Sequence, residues 1–180
     1  LPRQDRAAGS GLYSFAREVG SSSGIGVIMM PLAQREAIHA RAQAWWHARG
    51  QIDEAVRHAL QAGQPAQAGA LVEQCASSLF MRGERRTLFA LLHQLPSAQV
   101  EGNLTLSLWM ARAQMHQRAL AACERTLERM EALAPAGDER WQFNFALLRT
   151  TLAIQRDDSD RALVLLPRLS EMPPQADAIA

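Results

Sequence analysis

From Pro31 to about Glu171, glycine and proline punctuate the chain, and between these stops apolar side chains recur every three to four residues. An α-helix repeats a face every 3.6 residues, so a stripe with this period commits its segment to an amphipathic helix. Pro31 suits a first-turn position, Ile38, Ala42 and Trp45 follow at i, i+4 and i+7, and Gly50 ends the segment. A second helix is expected over about Ile52–Ala62, with Asp53 and Glu54 near its positive end. Gly63 closes it and Pro65 opens a third, which places Ala68, Leu71, Val72, Cys75 and Leu79 on one face and stops at Gly83. A fourth, about Glu84–Gln94, carries Leu88, Leu91, Leu92 and Leu95, and Pro96 closes it. Residues 97–102 read as a loop.

Three further stripes follow. Leu104, Leu108, Ala111 and Met115 mark a fifth helix, and Leu120, Cys123, Leu127 and Met130 a sixth that ends before Pro135 and Gly137. Trp141, Phe145, Leu148 and Leu152 mark a seventh over about Glu139–Gln155. An eighth begins near Asp160, capped by Asp158 or Ser159, and ends before Pro173-Pro174. Composition agrees. Alanine (32), leucine (23), arginine (19) and glutamate (11) dominate the 180 residues, while valine, isoleucine and threonine reach only 17, too few for a β-rich fold.

Eight helices with short connections imply antiparallel hairpins. One signature recurs at the stops: a helix-ending residue, four residues, then alanine. It runs Gly50 to Ala55, Gly63 to Ala68 and Asp157 to Ala162, with Gly83 to Leu88 as a larger-residue version. Glycine adopts the left-handed conformation that ends one helix, and a small residue in the next first turn lets two helices approach. The expected fold is all-α: antiparallel helix-hairpin repeats forming a tetratricopeptide-like right-handed superhelix, with irregular spacing rather than a clean 34-residue period. Residues 31–172 form this domain. Residues 1–30, rich in Gly and Ser at Gly9–Gly11 and Ser21–Gly26, read as a linker or a non-native fragment end, and 173–180 as a frayed end or the start of the next repeat.

The sequence argues for binding over catalysis. A net charge of +1 does not make a dedicated nucleic-acid surface. No apolar run is long enough to span a bilayer, and no export pattern precedes the helices, so a cytoplasmic location is expected. Cys75 and Cys123 fall on apolar faces and read as buried free thiols. His39 and His47, eight apart, could share a helix face, but no further ligand joins them; no metal or cofactor is expected. Asp53-Glu54, Asp138-Glu139 and Asp157-Asp158 stand at helix starts, where capping and the helix dipole explain them. Asn103-Leu104-Thr105 matches a glycosylation acceptor by accident. The residues best suited to line a groove are Trp46, Arg82, Arg86 and Trp109, because aromatic and arginine side chains anchor recognition.

The stretch Ala40–Gly63, with Trp45-Trp46 and Gly50 followed by Asp53-Glu54-Ala55, His58-Ala59-Leu60 and Ala62-Gly63, resembles the helical-repeat region of MalT-type, ATP-dependent large LuxR-family transcriptional regulators. The likeness continues through Pro65–Ala68, Gly69–Glu73, Phe80–Glu84, Thr87-Leu88 and Leu91–Pro96, and weakens to pattern over 97–170. It implies a parent with a nucleotide-binding module before this region and a helix-turn-helix after it. ATP would bind only in that missing module, and this stretch would not bind DNA directly. The helical region would receive a small-molecule inducer or a regulatory protein and relay the event to neighbouring domains. A tetratricopeptide-like scaffold that docks another protein is the alternative.

Overall fold

The computed structural model describes residues 31–170; the expectations for 1–30 and 173–180 lie outside them. Among the described residues there are nine helices and no strand. They are α1 (Leu32–His47), α2 (Ile52–Gln61), α3 (Pro65–Met81), α4 (Arg85–Gln94), α5 (Ser97–Glu101), α6 (Leu104–His116), α7 (Leu120–Leu133), α8 (Glu139–Gln155) and α9 (Ser159–Ser170). None is long and apolar enough to cross a membrane. The chain divides at Gln64/Pro65 into two compact units. The described part of the first is the α1/α2 hairpin. In the second, α3 packs on α4, α6 on α7 and α8 on α9, while α5 touches α3, α6 and α7.

The loop expected at 97–102 is instead a single helical turn, α5. Pro96 opens it, its carbonyl accepting the N–H groups of Gln99 at 2.9 Å and Val100 at 3.2 Å. Val100 is buried, and the Ser107 hydroxyl donates to its carbonyl at 2.8 Å. Five residues are too few to display a 3.6-residue stripe, which is why periodicity misses it.

Five helix ends share one device. Gly50, Gly63 and Gly83 have φ of 72°, 68° and 77°, and Arg118 and Asp157 have φ of 57° and 59°. In each case the following residue's N–H reaches back five positions: Gln51 to the Trp46 carbonyl, Gln64 to Ala59, Glu84 to Leu79, Ala119 to Gln114 and Asp158 to Ala153, at 2.8–3.1 Å. This is the Schellman closure, which uses up carbonyls that the helix leaves unpaired. Five residues after each left-handed residue stands a buried one: Ala55, Ala68, Leu88, Cys123 and Ala162. The hairpin turns are therefore Gly50, Gly83, Arg118 and Asp157, which fall 33, 35 and 39 residues apart. Counting glycines obscures this rhythm, because Gly63 links α2 to α3 and Arg118 carries no glycine signal.

Arg118 holds a left-handed backbone that costs an L-residue roughly 1–2 kcal/mol, partly offset by the greater chain entropy of the glycine that would relieve it. Arg118→Gly is expected to stabilise the protein by about 0.5–1 kcal/mol. Gly83→Ala, where an added Cβ meets nothing within 4 Å, should lose about 1 kcal/mol through the backbone alone. Urea midpoints of the two variants should move in opposite directions; a shared direction refutes the assignment.

The core of the second unit centres on Leu108, Ala111 and Met115 of α6, Cys123, Leu127 and Met130 of α7, and Leu148 and Leu152 of α8, with Leu104, Leu120, Trp141 and Phe145 packed on its edge. Leu71, Cys75, Leu79, Leu91 and Leu92 are also buried, so the stripes point inward as read; Leu120 is only half-buried. Both cysteines are free, and burial raises their thiol pKa, that of Cys123 to about 11. Three side-chain caps start helices: Asn103 accepts from the Leu106 N–H, Asp138 from Arg140 and Trp141, and Asp158 from Arg161.

Candidate functional site

In the α1/α2 unit, Trp46 is half-buried and meets Trp45 edge-to-face, with ring centroids 4.6 Å apart. The Arg49 guanidinium lies 3.5 Å above the Trp45 ring and donates to the Trp45 carbonyl at 3.2 Å. The tryptophan pair is thus clamped at the end of α1, and the arginine covers Trp45 rather than Trp46.

His39 does not share a face with His47, which is exposed. It pairs instead with His58 of α2. Both are 7% exposed, the rings stack with centroids 5.1 Å apart, and the two Nδ1 atoms are 2.9 Å apart. One imidazole must carry the shared proton and the other must accept it, so the contact cannot survive protonation of both Nδ1 atoms. Among the described residues no group of three or more His, Cys, Asp or Glu is placed to hold a metal ion.

The same geometry makes stability depend on pH. Burial, then Arg35 and Arg57, lowers the His39 pKa; burial, then His39 and Arg57, lowers that of His58 from 6.5 to about 4. The unfolded chain therefore binds more protons between these values. The stabilisation is present above pH 6.5 and is lost as pH falls toward 4. Between pH 6.5 and 5, above the carboxylate range, the loss is expected to be roughly 1–2 kcal/mol. Thermal melts of the protein and of a His39→Gln/His58→Gln variant check this: the variant should be flatter across the window, and equal slopes refute the pair as the source.

In the second unit, the proposed groove residues separate. Trp109 is 2% exposed and belongs to the interior. Arg82 and Arg86 are exposed at the α3/α4 turn, where Arg82 pairs with Glu84 at 2.8 Å. What the fold gathers around Trp109 is a cluster that periodicity does not reveal. Phe80 lies 5.4 Å from Trp109 and 6.0 Å from His116, centroid to centroid. Arg112 stacks over Trp109 at 4.8 Å and Phe80 at 5.8 Å, and the Arg85 guanidinium lies 5.2 Å from the Phe80 ring centroid. Desolvation lowers the Arg112 pKa, and a guanidinium in this position is held by ring faces. The residues come from α3, α4 and α6, so only the packing of three helices brings them together.

A concavity of about 760 Å³ opens where α7 ends and α8 and α9 face each other. Trp141 and Phe145, stacked with centroids 6.1 Å apart, form an aromatic wall. Arg149, one turn beyond Phe145 on α8, and Leu165 and Arg168 of α9 also line it, and residues 134–137 make the rim. Arg149 grips Glu131 through two hydrogen bonds of 2.7 and 2.6 Å, which raise its pKa and fix its side chain. Arg168, which also lines the cleft, makes no ion pair among the described residues. The cleft can take an apolar or aromatic body with a negatively charged end.

Comparison with known proteins gives one kind of match. The chain is 38% identical over 94 residues to the serine/threonine-protein kinase PknK of Mycobacterium tuberculosis and of Mycobacterium bovis, a match that covers 52% of this chain and 8% of the relatives' length. The chain thus spans a small part of the curated relatives it matches. No protein-family profile matches it, and no solved structure does.

Proposed function

We propose that this chain is the signal-receiving helical arm of a MalT-type, ATP-dependent LuxR-family transcriptional regulator, working by binding and without catalysis. Its hairpins stack as a tetratricopeptide-like right-handed superhelix, and an inducer or a regulatory protein docks on it. The observation that carries this reading is the α7–α9 cleft: its volume falls in the roughly 300–1,000 Å³ range of small-ligand sites, with an aromatic wall and an arginine placed to fix orientation. In the second unit the exposed Arg82 and Arg86 supply further contacts for a larger partner, with Trp109 supporting from within; in the α1/α2 unit Trp46 is a separate contact. The bound species acts by favouring one of two arrangements of the parent, which requires unequal affinity for them.

The test is made in the full-length parent regulator. Residues 35–170 are deleted, and inducer-dependent transcription is measured beside ATP binding. The response should vanish while ATP binding persists. A response that survives the deletion places signal entry elsewhere. The similarity to part of a kinase favours one second reading, in which the same arm is a scaffold that docks another protein within a larger signalling polypeptide. Deletion would then abolish co-purification of that protein and leave the inducer response intact.

A further inference from the structure

Exposed side chains on the α8/α9 hairpin repeat a surface that is buried one hairpin earlier. The turn residues Arg118 and Asp157 set the two hairpins in a 39-residue register. In that register Leu108 corresponds to Leu147, Met115 to Ile154 and Leu127 to Leu166. Leu108, Met115 and Leu127 are 0%, 6% and 0% exposed, whereas Leu147, Ile154 and Leu166 are 37%, 59% and 45% exposed. What covers the first set is α8, whose Leu148 and Leu152 share their core and whose Trp141 and Phe145 pack on its edge. The α6/α7 hairpin is thus an occupied acceptor for a helix with bulky apolar side chains at i, i+4, i+7 and i+11, and the α8/α9 hairpin presents the same surface open.

Two more observations extend the register. Glu124 and Arg125 of α7 correspond to Leu163 and Val164 of α9, which are 64% and 75% exposed. The later hairpin is more apolar where the earlier one is charged, as expected of a surface that meets more protein. Pro135 and Asp138, the connection and cap that start α8, correspond in sequence to Pro174 and Asp177. The signal that opens one covering helix therefore recurs where the next would begin.

We propose that the groove between α8 and α9 is the docking site for the first helix of a further hairpin of the same polypeptide, opened at Pro174–Asp177. The occupant is a helix of the α8 kind. By the 100° turn per residue, Leu147 and Ile154 lie on the flank of α8 away from Arg149. The inference does not depend on what the cleft binds.

Thiol accessibility tests it. Ile154→Cys and Leu166→Cys are made singly in the 180-residue chain and in a chain where a second copy of Glu139–Ser170 is joined after Asp177, in register. The native Cys75 and Cys123 are buried and give little background. Glu128→Cys, at an exposed position, is the control. Maleimide should label positions 154 and 166 rapidly in the 180-residue chain at every protein concentration, and at least tenfold more slowly in the extended chain, with position 128 fast in both. Equally fast labelling in the extended chain overturns the proposal. So does slow labelling already in the 180-residue chain: concentration-dependent protection assigns the face to a second copy, and concentration-independent protection assigns it to residues 171–180.

Discussion

Leu91→Ala and Leu148→Ala are each expected to remove roughly 2–5 kcal/mol of folding stability. Leu91 is 1% exposed, and Leu148 is 5% exposed inside the core shared by α6, α7 and α8. Truncation there loses the transfer free energy of three carbons and leaves a void that packed helices close only in part. Leu163→Ala is the contrast: the same chemistry on a side chain that is 64% exposed should shift the urea midpoint little. Unchanged midpoints for both core variants would show that the apolar stripes do not face the interior.

Enlarging the small residues after the turns should do comparable harm by the opposite route. Ala55 and Ala68 are each 0% exposed, five residues beyond Gly50 and Gly63. Ala55→Leu and Ala68→Leu must force the neighbouring helix outward or drive side chains from their rotamers, at a cost of about 1–3 kcal/mol. Ala66→Leu, on the exposed side of the same first turn, should be nearly neutral. Thermal denaturation of the three variants decides between a packing role and simple helix propensity, since propensity treats all three alike.

Helix positions were legible in the sequence because their stops are chemical. Gly50, Gly63, Gly83 and the capping Asp158 announce a boundary within one or two residues, and stripes such as Leu120–Cys123–Leu127 announce a face. Arg118 shows the limit of this logic. It takes the left-handed conformation because Gln114, Met115 and Cys123 satisfy bonds and packing around it, so tertiary context overrides a residue type that gives no signal. Asn103 was readable only as a glycosylation match until its side chain is seen capping α6. The candidate site was less accessible still. Arg112 over Phe80, His39 against His58, and Trp141 and Arg168 around one cleft each depend on how separate helices approach, and a one-dimensional period carries no such information. The chemistry of Trp109 suits a core and a groove equally.

The turns and the connections differ in what they permit to vary. Inside each hairpin the left-handed residue, its backward bond and the buried residue five places on are fixed, so adding or removing a residue there would rotate the second helix off its partner. Length varies between hairpins: three residues separate α2 from α3, whereas Leu95–Asn103, with its single turn α5, separates α4 from α6. The Ala134–Asp138 connection is one of these elastic segments, and its residues 134–137 form the rim of the α7–α9 cleft. Residues can therefore be added, removed or replaced at the mouth of the cleft without disturbing the frame. For the same reason, Ala136-Gly137 is where a reporter or a new recognition loop can be spliced in.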